Sequence, residues 1–76
     1  SKHFLTGLTD MFSRIFAGMM DKGLLRRDDP EMLAFAYTMP VSALIHQCDR
    51  QPEKIPEAIA MAEAFSRHFI RVYGRS

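Results

Sequence analysis

The sequence has no tryptophan, one cysteine (Cys48), four glycines and almost no net charge, ten Lys and Arg standing against nine Asp and Glu. Each shortage removes a class of protein. A single Cys cannot close an internal disulfide, and no Cys/His cluster has the spacing of a structural zinc site, so neither metal nor cofactor is expected. A formal charge of +1 gives no bulk attraction to nucleic acid or to an anionic membrane surface. The longest stretch without Asp, Glu, Lys or Arg, 32–48, is shorter than the roughly 20 residues a membrane helix needs. It also carries Tyr37, Thr38, Ser42, His46 and Gln47, so it reads as a buried helix rather than a span. The first residues lack the basic, apolar, small-residue order of a signal peptide, and lone-Cys usage suits a reducing compartment; a cytoplasmic location is the expectation.

What is present is a hydrophobic content of 47% in only 76 residues. Disorder is excluded by that balance. A chain of this size rarely buries enough surface to stand alone without disulfides, metal or oligomerisation. The whole of 1–76 is therefore expected to be a single partial domain, completed by a partner copy or by a remainder of the protein.

The apolar spacing is helical throughout and predicts an all-α fold of three antiparallel helices, at about 2–22, 29–47 and 53–73. In the first, Phe4, Leu8, Met11, Phe12, Ile15, Phe16 and Met19 recur at three- and four-residue steps, and Gly23 follows as a left-handed terminator. The second begins with a strong start signal: Asp29 as cap, Pro30 at the first helical position and Glu31 at the positive end of the dipole. One of its faces carries Leu33, Ala36, Tyr37, Val41, Leu44 and Cys48, the other Met32, Phe35, Met39 and His46. A helix apolar all round must be covered all round, and two companions from this chain cover about half of it. Pro40 removes one backbone bond and is expected to kink it near Ala36. Asp49 to Glu53 reads as a polar turn. The third helix can start only where Pro56 falls in its first turn, and Gly74 ends it. Its Ala58, Ala60, Ala62 and Ala64 leave part of its surface thin.

Catalytic chemistry finds no support. His46 and Cys48, two apart, point in different directions on a helix, and no Gly-rich phosphate loop occurs. An inert Cys48 and no enzyme activity are expected. Arg67, Arg71 and Arg75 repeat every four residues with His68 beside them, which reads as a solvated face at the negative end of the dipole. The second helix has no basic residues to reach base edges, so these residues are not a DNA reader. The aromatic and Met side chains remain: Phe12, Phe16, Met19 and Met20 can face Phe35, Tyr37 and Met39 and form either a core or a wall for an apolar ligand.

The run Gly23-Leu24-Leu25-Arg26-Arg27-Asp28-Asp29-Pro30-Glu31 with Ala34 resembles the junction before the last two helices of TetR-like (tetracycline-repressor-like) transcriptional regulators. Pro40, the Cys48-Asp49-Arg50 run and the ending from Phe69 to Tyr73-Gly74 are similar to one subgroup of that family. The resemblance covers the chain from about Phe4 onward. It implies that the second and third helices form a two-fold four-helix bundle, a homodimer, with Phe35, Val41, Leu44, Ile45, Ile59, Ala62, Phe65 and Phe69 at its interface. It also implies that the first helix is one wall of an effector pocket, with Phe12, Phe16, Met19, Met20, Tyr37 and Met39 as lining and a small apolar effector as ligand. DNA binding would reside in an N-terminal helix-turn-helix domain that these residues do not contain. Two other readings use the same apolar faces: a free-standing module that binds a different protein, and a small carrier of apolar ligands.

Overall fold

Three helices account for most of the chain: α1 (Gly7–Asp21), α2 (Pro30–Arg50) and α3 (Ile55–Tyr73), the last preceded by a single 3-10 turn at Pro52–Lys54. The computed structural model describes residues 7–75. Among them there is no strand, only an isolated antiparallel bridge between Leu25 and Gly74. The part of the expected first helix at 2–6 lies outside the described residues.

Each helix end follows from its local sequence. At the end of α1, Gly23 takes φ +77° and closes the helix: its N–H donates to the Met20 carbonyl at 3.1 Å and that of Leu24 to Met19 at 2.9 Å. This is the paired closure a left-handed glycine permits. At the start of α2 the Asp29 carboxylate accepts from the N–H groups of Glu31 (3.0 Å) and Met32 (3.4 Å), with Pro30 in the first turn.

The end of α2 differs from expectation. The helix passes through Pro40 and continues to Arg50, three residues beyond 47, so Asp49 and Arg50 are helical rather than a turn. Their polarity marked the loss of a buried face, not the loss of the helix. A cation in the last turn suits the negative end of the dipole, and the first residue that cannot continue the ladder is Pro52. The Gln51 N–H then caps Gln47 at 2.8 Å. The start of α3 also moves, from 53 to Ile55, because 52–54 wind as the tighter turn and leave Pro56 in the first turn of the α-helix. Gly74 ends α3 with an extended backbone, its N–H bonded to Ile70 at 2.7 Å. A Cβ there would run into the Ile70 carbonyl oxygen, so glycine is required by close approach rather than by φ.

Helix α2 is central, packed by α1 on one side and α3 on another. The core consists of Phe16, Met20, Leu25, Leu33, Ala34 and Phe69, with Phe12, Met19, Tyr37, Phe65 and Tyr73 against it. It sits where α1 ends, α2 begins and α3 ends. Backbone ties close that end: Arg26 N–H to Tyr73 (3.0 Å) and Arg75 N–H to Leu24 (3.0 Å).

Candidate functional site

The polar groups inside the bundle are satisfied by the chain itself. The Thr38 hydroxyl donates to the Ala34 carbonyl at 2.8 Å and also meets the Thr9 hydroxyl across the α1/α2 contact at 3.0 Å. The Tyr37 and Ser66 hydroxyls meet at 2.8 Å and join α2 to α3. Among the described residues no buried side-chain polar atom lacks a partner. His46 and His68 are exposed and Cys48 is half-buried as a free thiol. Nor does any group of three or more His, Cys, Asp or Glu side chains gather there.

The expected ligand wall is mostly internal packing. Phe16 and Met20 are buried, and Phe12, Met19 and Tyr37 pack against them. The Tyr37 ring lies 5.2 Å from Phe12 and 5.9 Å from Phe16, centroid to centroid. These five therefore come together, as the helical spacing implies, but they touch one another. Met39 does not join them: it is exposed, on the face of α2 that also carries Met32, Phe35 and His46.

The expected interface residues divide into three groups. Phe65 and Phe69 belong to the aromatic cluster; Phe69, only 4% exposed, contacts Phe16, Tyr37, Phe65 and Tyr73 and is enclosed by its own chain. Phe35 stands exposed on the outer face of α2. Val41, Leu44, Ile45, Ile59 and Ala62 line one apolar groove of about 200 Å³ between α2 and α3, together with Cys48 and Ala58. Its two largest walls are open to solvent, Ile45 at 57% and Ile59 at 54%.

Sequence reasoning missed several exposed side chains of α3, namely Met61 (58%), Ile70 (49%) and Val72. The signal that finds Ile70 was available: Ile59, Glu63, Ser66 and Ile70 recur at steps of four, three and four, which places them on one helix face. That face continues from the groove through the surface formed by Ala62, Glu63, Ser66 and Arg67 to Ile70 and Arg71. The basic stripe is exposed but shorter than expected. Arg67 and Arg71 lie on α3, whereas Arg75 is past its end with its backbone tied to Leu24.

Taken together, twelve large apolar side chains among the described residues are exposed, while seven apolar residues form their buried core. No helix among the described residues is long and apolar enough to cross a membrane. No family model, characterised protein or solved structure matches the chain.

Proposed function

We propose that this chain is a self-association element, the dimerising and part-sensing region of a TetR-like regulator, in which α2 and α3 of two copies form a four-helix bundle. The single observation that carries the reading is the excess of uncovered apolar side chains on α2 and α3: Met32, Phe35, Met39 and Ile45 on the first, Ile55, Ile59, Met61, Ile70 and Val72 on the second. Contiguous apolar surface of this kind marks interaction sites in soluble proteins.

The sensing part of the proposal belongs to α1. Its half-buried Phe12 and Met19 and exposed Met11 and Ile15 present an apolar stripe beside the core. A small apolar effector lodged there would shift α1 against α2 through the Thr9–Thr38 contact. Light scattering on the eluting peak of the 76-residue chain tests the dimer directly. The expected mass is twice 8.7 kDa. A folded species of 8.7 kDa across the micromolar range sinks the proposal.

A further inference from the structure

We infer that two copies of the chain pair through one face of α3, antiparallel, about a two-fold axis passing between residues 64 and 65. The inference rests on the reading that the chain self-associates and goes beyond it by choosing the face and the register.

The choice follows from self-complementarity. A two-fold interface uses the same patch twice, so whatever lies on one side of the axis must suit what lies at the same distance on the other. On α3, Ile59 and Ile70 stand at the two ends of one face, both about half-exposed. An axis midway sets Ile59 of one copy beside Ile70 of the other, at both ends. Between them are Ala62 and Ser66, short side chains that let a second helix approach. Glu63 and Arg67 flank the centre. The ion pairs of the described residues join Asp10 with Arg14, Asp21 with Arg27 and Lys54 with Glu57, so Glu63 and Arg67 are both without a partner. The same axis brings each Glu63 within one residue's rise, about 1.5 Å along the helix, of the Arg67 of the other copy, twice over.

The opposite face of α2, with Met32, Phe35 and Met39, is equally apolar. It carries no charge among these residues and so nothing that fixes a register. The α3 face also runs without a break into the groove of Ile45, Cys48 and Ala58, which a helix lying along α3 covers at its far end.

The test is sedimentation equilibrium on the intact chain and three variants: Glu63→Arg, Arg67→Glu and the double reversal. Both Glu63 and Arg67 are on an exposed helix surface, and circular dichroism is recorded on each variant to check that it keeps its helices. Like charges set opposite one another are costly, so each single reversal is expected to raise the dimer dissociation constant about tenfold or more. The double reversal is expected to restore it. A wild-type dimer whose dissociation constant is unchanged in all three variants overturns this face while leaving self-association intact. A wild-type chain that is folded and monomeric at every concentration overturns both.

Discussion

The two ends of this bundle are built differently. Where α1 stops, α2 starts and α3 stops, six rings interlock: Phe12, Phe16, Tyr37, Phe65, Phe69 and Tyr73, with centroid separations from 4.7 to 6.0 Å. Two backbone hydrogen bonds, which together make up the Leu25–Gly74 bridge, tie that end shut. At the other end, where α2 stops and α3 starts, Ala58 is buried and its neighbours Ile45, Ile55, Ile59 and Met61 are exposed. One end contains a finished core and the other contains half of one. Hydrophobic content alone does not separate them, because both ends are apolar. What separates them is whether the chain supplies an opposing surface.

The sharpest way to break the comparison is to remove the centre of the finished end. Phe69→Ala deletes a buried ring that touches four others, and a loss of about 3–5 kcal/mol is expected. In a domain this small that is most of the stability, and denaturant titration followed by circular dichroism should show a chain largely unfolded at room temperature. A loss below about 1 kcal/mol would mean that the aromatic cluster is not the core. At the open end the expected consequence is different in kind. Ile59→Asp introduces a charge on a side chain that is already half in water, so helix content should persist. Dimer formation should fall below detection in sedimentation at micromolar concentration, since the charge would be buried unpaired in the interface. Unfolding of this variant would place Ile59 in the chain's own core.

Smaller effects refine the picture. Asp29→Ala removes the side chain that accepts from the first two free N–H groups of α2, and thermal melts should register a loss of about 1 kcal/mol. Arg71→Ala tests the exposed basic stripe. It should change stability by less than about 0.5 kcal/mol and leave the dimer unaltered, because the stripe lies at the edge of the proposed face.

Much of this architecture was legible in the residues. The cap at Asp29-Pro30-Glu31, the Gly23 terminator and the two-faced character of α2 are short-range signals, set by neighbours in sequence, and the structure repeats them. The apolar periodicity divided α2 into two faces without saying which is inner: Leu33, Tyr37 and Val41 turn toward the bundle, whereas Ala36 of the same face is exposed, as are Met32, Phe35 and Met39 of the other. The end of α2 was less legible, since Asp49 and Arg50 look like a turn by polarity but have no steric reason to leave the helix before Pro52. Periodicity also could not tell a ring that faces its own chain from one that faces another. Both Phe69 and Ile59 are large and apolar, yet Phe69 is enclosed by Phe16 and Tyr37 whereas Ile59, in the groove with Val41, Leu44 and Ile45, stays 54% exposed. That distinction depends on where α1 crosses the pair, which no local pattern encodes.

The central claim is that the open end is completed by a second copy. Amide hydrogen exchange, measured on the intact chain over a dilution series from high micromolar to nanomolar, addresses it residue by residue. The account predicts that protection over 55–70 of α3 falls as the protein is diluted, while protection around Phe16, Leu33 and Tyr37 changes far less. Protection over 55–70 that is independent of concentration would contradict it, because that end would then be held by the single chain alone.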